Sequence, residues 1–142
     1  MRYAKFYSKV INDVSPQQVW ALWSNMEKRH LWDDDTEWAK MHGEFKAGNT
    51  FIFKIKGGPK LKMSITESTV NKSFTDSFKF PLATLYGIHE MIPTDFGLEI
   101  KTTMVTEGLL AWLWQKLVVN KIVQSLPHQT EMLIQEARKV VV

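Results

Sequence analysis

Leu31-Trp32-Asp33-Asp34-Asp35, then Met41-His42-Gly43-Glu44-Phe45-Lys46-Ala47-Gly48, then Phe51-Ile52-Phe53-Lys54-Ile55-Lys56, is the stretch on which the fold turns. It runs from an acidic loop through a Gly-x-Phe-x-x-Gly segment into a strand whose Phe51, Phe53 and Ile55 share one face. Further along, Leu61, Met63 and Ile65 share a face across the turn Gly57-Gly58-Pro59-Lys60. Phe74, Phe78 and Phe80 follow, then Leu85, Gly87 and Met91, then Leu98, Ile100 and Met104 opposite Glu99 and Lys101. This alternation predicts an antiparallel meander with one wet face. Before the opening stretch, Tyr3 to Ile11 reads as a strand. Ser15-Pro16 is an N-cap with Pro at the first helical position, leading Val19, Leu22, Trp23 and Met26 at helical spacing. A short helical turn is expected over Glu27 to Leu31. From Leu109 to Arg138 the period becomes 3.6, which puts Trp112, Val119, Ile122, Val123, Leu126, Leu133 and Ala137 on one stripe, with Pro127 expected to kink the helix along the sheet.

Three local patterns carry a family resemblance. Ser15-Pro16-Gln17-Gln18-Val19-Trp20 has a small residue and Pro, with Val-Trp beginning three positions after the Pro. Gly43-x-Phe45-x-x-Gly48 is the second pattern, and Ile92-Pro93 ahead of the Phe96-Gly97 turn is the third. In order and spacing the chain resembles the START-like superfamily, the polyketide cyclase/dehydrase and lipid-transport group often called SRPBCC. The resemblance covers nearly the whole chain and implies an α+β helix-grip fold over residues 1–142, a single domain with a curved sheet wrapped around a long C-terminal helix. It also implies a cavity between the two that takes a small apolar ligand. Asn12 departs from the aliphatic residue usual before the first helix. Functional residues differ among subfamilies, so the resemblance brings no catalytic set with it.

A chain of 142 residues fits one domain, and its 44% hydrophobic and 23% charged residues are ordinary for a globular protein. Six Trp and eight Phe exceed what packing alone usually needs, and seven Met would make a pocket adaptable. The net charge of +3 comes from scattered Lys and Arg, so nucleic acid is not an expected partner. The absence of Cys excludes disulfides and thiolate chemistry and makes the cytoplasm the default compartment. The first residues lack the apolar segment of a secretory signal, and the longest apolar run, Leu109 to Trp114, is too short to span a bilayer. No cofactor or metal is called for. Asp33-Asp34-Asp35 reads as a solvated loop because consecutive residues point apart, and the four His show no zinc spacing. His128 should lie opposite the buried stripe. A phosphate loop and a nucleophile elbow are both missing. Lys54, Lys56, Lys60 and Lys62 form a basic hairpin, either a solvated face or a contact for an acidic partner or anionic lipid.

Polar residues interrupt the apolar faces: Asp76 between Phe74 and Phe78, His89 between Gly87 and Met91, and Thr102 between Ile100 and Met104. A loop of Pro81 to Thr84 would set Asp76 opposite His89, and a loop of Thr94 to Gly97 would set His89 opposite Thr102, giving one polar row. Burying such groups without partners costs several kcal/mol, so the row must be hydrogen-bonded, hydrated or in contact with a ligand. It reads as the polar end of a pocket holding a hydroxyl, carbonyl or carboxylate, or as a structural cluster. A one-residue register slip would instead expose all three and turn Tyr86, Ile88, Glu90 and Ile92 inward. On the last helix Gln115 is a pocket candidate, while Thr130 is expected to satisfy the carbonyl freed by Pro127.

The expected function is binding of a small hydrophobic or amphipathic molecule such as a lipid, isoprenoid or polyketide-like compound. Val19, Trp23, Phe53, Met63, Asp76, Phe78, His89, Thr102, Met104, Trp112 and Gln115 are the candidate wall residues. The alternative is a cyclase or dehydrase in which His89, oriented by Asp76, is the general base near its unperturbed pKa. A protein-interaction role like that of chaperone-activating relatives is the third reading.

Overall fold

The computed structural model describes residues 1–142. Strand β1 (Arg2–Ile11) leads into α1 (Pro16–Trp23) and a 3₁₀ helix (Met26–Leu31). Strands β2 (Thr36–His42), β3 (Thr50–Ile55), β4 (Lys60–Thr69), β5 (Ser73–Phe80), β6 (Ala83–Thr94) and β7 (Gly97–Glu107) follow. The chain ends in α2 (Ala111–Trp114), a π turn (Gln115–Val119) and α3 (Asn120–Arg138). The sheet is antiparallel throughout, in the order β1-β7-β6-β5-β4-β3-β2. The long C-terminal helix packs against α1 and β1, completing the expected helix-grip order.

The start of α1 follows its sequence signal closely. Ser15 accepts from the Gln18 amide N–H at 3.2 Å, and the Gln18 side chain accepts from the Ser15 N–H at 2.9 Å, a reciprocal cap that satisfies two otherwise orphaned donors. Along β6 every second residue from Ala83 to Met91 is buried, as the alternation requires.

Strand β2 lies outside the strands that the alternation predicts. Its buried residues are the small or polar Thr36 and Ala39, a bulge between Thr36 and Trp38 breaks the alternation, and Trp38 points outward beneath Lys60. The helix start also departs from expectation. Trp112 is 47% exposed, not on the buried stripe, while Ala111, Gln115 and Val119 are buried. The π turn adds a residue within one turn, so positions before it rotate out of phase with a wheel drawn at 100° per residue.

The apolar interior divides into three clusters. One joins Val19, Leu22, Trp23, Trp32 and Phe74 to Leu133, Ile134 and Ala137; a second holds Met26, Ala39, Phe51, Met63 and Ile65; the third holds Leu85, Met104, Val119 and Leu126. Along β6 the inward side chains pass from the third cluster at Leu85 to the first at Met91, and between them stand Gly87 and His89.

Candidate functional site

Asp76, His89 and Thr102 all point inward and are 3%, 3% and 7% exposed. The β6–β7 register sets His89 opposite Thr102, as expected. The β5–β6 register differs: the connection is only Pro81-Leu82, so Asp76 pairs with Gly87 and His89 with Phe74. Asp76 is thus one step diagonal from His89. Gly87 makes the approach workable, because a Cβ there would lie 2.6 Å from Asp76 Oδ1 and 3.5 Å from His89 Nε2. Both side chains lean over the space that the glycine leaves.

The residue that organises this interior is Arg29, on the 3₁₀ helix. Its side chain is only 11% exposed. Nε donates to Asp33 Oδ2 at 3.2 Å and Nη1 to Asp76 Oδ2 at 3.5 Å, so one guanidinium bridges two carboxylates. Its Cζ lies over the Trp32 ring at 5.2 Å from the centroid, and 5.4 Å and 5.8 Å from those of Phe53 and Phe51, the arrangement in which a weakly hydrated cation tolerates burial. Asp33 is 4% exposed and not solvated as expected; it also accepts from the Asp35 N–H at 3.1 Å and from Gln129 Nε2 at 3.3 Å. Asp34 turns outward to His128, whose exposure agrees with the helical wheel.

Burial pushes the Asp76 carboxyl above the ordinary carboxylate range, with the Arg29 guanidinium pulling the other way. Burial, and secondarily the Arg29 charge, draw His89 down from 6.5 to about 3. At neutral pH the imidazole is uncharged and a poor proton acceptor. This corrects the expectation of a general base near its unperturbed pKa.

Four buried polar atoms have no hydrogen-bond partner in the protein: Trp23 Nε1, Trp32 Nε1, Thr36 Oγ1 and His89 Nε2. Three of them belong to neighbouring rings, with Trp23 5.8 Å and Trp32 6.3 Å from His89 between centroids, both edge-on. Phe74 stacks on the other side of His89 at 4.2 Å. Native interiors seldom leave such groups unpaired, and a cluster of them is a mark of a ligand or of ordered water.

The structure therefore brings together Trp23, Asp76, His89 and Thr102 and adds Arg29, Trp32, Asp33 and Gly87. The other named residues are dispersed. Val19 lies in the first cluster; Met63 lies in the second, with Phe53 and Phe78 against it; Met104 lies in the third. Gln115 is buried, but its amide is already engaged, accepting from Thr106 Oγ1 at 2.8 Å and donating to Asn120 Oδ1 at 2.9 Å. Thr130 donates to the Leu126 carbonyl, four residues back, rather than to the carbonyl of Val123 that Pro127 frees. The i, i+4 spacing of Arg29 and Asp33 was the one sequence signal that could have found the added charges.

Among the surface clefts are two that the named pocket residues do not line. One of about 430 Å³ lies between Ser24–Glu27 and Met41, Gly43 and Phe45. Another of about 260 Å³ is bordered by Pro16, Asn71–Ser73 and Glu90.

No family model matches the chain, and no curated protein matches it. Solved structures do. Norcoclaurine synthase from Thalictrum flavum superposes with a TM-score of 0.71 at 11% identity, over 99% of this chain and 88% of that one. The same enzyme in complex with dopamine and hydroxybenzaldehyde gives 0.68 at 12% identity, over 98% and 86%. Ara h 8.0201 gives 0.64 at 9% identity, over 97% and 96%. The di-domain ARO/CYC StfQ of the steffimycin biosynthetic pathway gives 0.70 at 9% identity, over 97% of this chain and 50% of that one. At these identities the likeness is one of fold.

Proposed function

We propose that this chain, START-like in fold, binds a small and largely apolar molecule in its interior through an uncharged oxygen of that molecule. The observation that carries this reading is the cluster of unpartnered buried atoms around His89. Two of them are indole N–H groups, which can only donate. A ligand ammonium offers them nothing. A ligand carboxylate would come to rest beside Asp33 and Asp76, whose one buried cation, Arg29, is already engaged by both. A ketone, aldehyde or ester carbonyl accepts from the indoles without adding charge, and the surrounding Phe74, Met26 and Met91 suit an apolar body. A bound aldehyde in a protein of the same fold is consistent with this class.

The test is a matched set of naphthalenes titrated by calorimetry: 2-acetylnaphthalene, 2-ethylnaphthalene, 2-naphthoate and 2-naphthylmethylamine. The ketone should bind about tenfold or more tighter than each of the others, roughly the effect of one or two neutral hydrogen bonds in a dry site. Equal affinity for the ketone and the hydrocarbon would remove the polar anchor from the proposal. No binding of any of the four, together with a bare chain mass in native mass spectrometry of fresh protein, would remove the interior site.

A cyclase- or dehydrase-type enzyme is the second reading, favoured by the opposed shifts of the two titrating groups. In it Asp76, whose carboxyl burial pushes above the ordinary carboxylate range, is the proton donor and His89 a neutral hydrogen-bonding partner.

A further inference from the structure

At the end of the molecule where α2 begins, large apolar side chains face solvent together: Leu82 is 62% exposed, Leu109 74%, Trp112 47% and Leu117 59%. Leu82 lies in the β5–β6 turn and Leu109 in the β7–α2 link. These two segments are joined by the Leu110 N–H donating to the Leu82 carbonyl at 3.0 Å. Beneath them Trp114 stacks on Phe80 at 4.5 Å and donates its indole N–H to the Pro81 carbonyl at 2.9 Å. The patch therefore rests on a fixed base.

Two features show that this exposure goes against local preference. Leu82 has φ +59°, a left-handed conformation that Asn or Gly adopts at lower cost, yet the residue is an exposed leucine. The π turn, by adding a residue, keeps Trp112 and Leu117 outside although Ala111, Gln115 and Val119 are buried. Around the patch stand exposed Lys79, Lys116 and Lys121, none within ion-pairing distance of a carboxylate. The one carboxylate on the adjoining strand end, Glu107, is paired with Arg2.

An apolar tip ringed by uncompensated cations is complementary to an anionic lipid surface, where apolar side chains enter the headgroup boundary and ammonium groups meet phosphates. We propose that this end of the protein docks peripherally on anionic membranes, with Leu82, Leu109, Trp112 and Leu117 inserted and the three lysines at phosphate level. No helix here is long and apolar enough to cross a membrane, so the contact is one of surface attachment. The proposal is independent of what the interior binds.

The test is flotation of the full chain with vesicles of phosphatidylcholine alone or mixed with phosphatidylglycerol. Binding should be about tenfold stronger to the mixed vesicles and should fall steeply as salt is raised. The Leu109→Ser/Leu117→Ser and Lys116→Glu/Lys121→Glu variants change exposed residues only and should keep the wild-type circular dichroism spectrum. Each should lose most of the vesicle binding. Failure of wild-type protein to float, or flotation undiminished in both variants, overturns the proposal. So does a concentration-dependent dimer that the leucine variant abolishes while vesicles are ignored, which would assign the patch to a second copy of the chain.

Discussion

Placing an imidazole in a dry interior beside a guanidinium favours its neutral form, and His89 has both conditions, at 3% exposure and under the Arg29 charge. The folded pKa of about 3 lies below the ordinary 6.5, so between these values the unfolded chain binds a proton that the folded chain refuses. The stability that His89 contributes is therefore complete above pH 6.5 and is lost as pH falls toward 3, at up to about 1.4 kcal/mol per pH unit. Asp76 has the opposite sign: its raised pKa means that stability is lost as pH rises through the folded value. Urea denaturation at intervals from pH 3 to pH 8 should show His89→Asn with a visibly flatter acid limb than wild type. Curves that run parallel over that range would mean that the buried imidazole does not control acid stability.

At the scale of elements, Pro127 offers the cleanest test. It is exposed within the continuous helix α3, where it supplies no N–H for the Val123 carbonyl. Pro127→Ala restores that bond, and a gain of about 1–2 kcal/mol in urea denaturation is expected once unfolded-state entropy offsets part of the proline's helix cost. A loss instead would mean that the proline's fixed backbone geometry helps seat Leu126 and Thr130 against the sheet. The same elements show why legibility varies. The Ser15 cap, the period-two strands and the buried half of the last helix are local patterns, and they were readable. Strand β2 was not, because a bulge and the small inward residues Thr36 and Ala39 leave no alternation to detect. The π turn leaves no mark in composition, so a regular 3.6 period puts Trp112 on the wrong side. A two-residue turn at Pro81-Leu82 in place of a longer loop shifts the Asp76 pairing by two residues while keeping its face, so alternation predicts Asp76 inward but not its partner. Arg29 became central only through tertiary contacts with Asp76, Phe51 and Phe53, which no spacing along the chain encodes.

At the scale of the whole molecule, the question is how a ligand reaches a set of buried groups. The 430 Å³ cleft between the 3₁₀ helix and the β2–β3 turn is lined by two side chains, Met26 and Phe45, that touch this interior. Met26, at its edge, is 2% exposed with its sulfur 4.0 Å from Arg29 Nη1. Phe45, on the turn, meets Phe74 edge-on at 5.3 Å, and Phe74 stacks on His89. The turn carries glycines at positive φ, Gly43 at +88° and Gly48 at +95°, so Phe45 stands on a short loop between two residues with unusual backbone freedom. A side chain that closes a path without holding the ligand governs rates and leaves equilibrium nearly unchanged. Phe45→Ala should therefore raise both association and dissociation of 2-acetylnaphthalene by about tenfold while Kd stays within about twofold, as expected of a gating group. Stopped-flow mixing gives both rates. A Kd weakened in step with faster dissociation, at unchanged association, would make Phe45 a wall of the site and place the opening elsewhere.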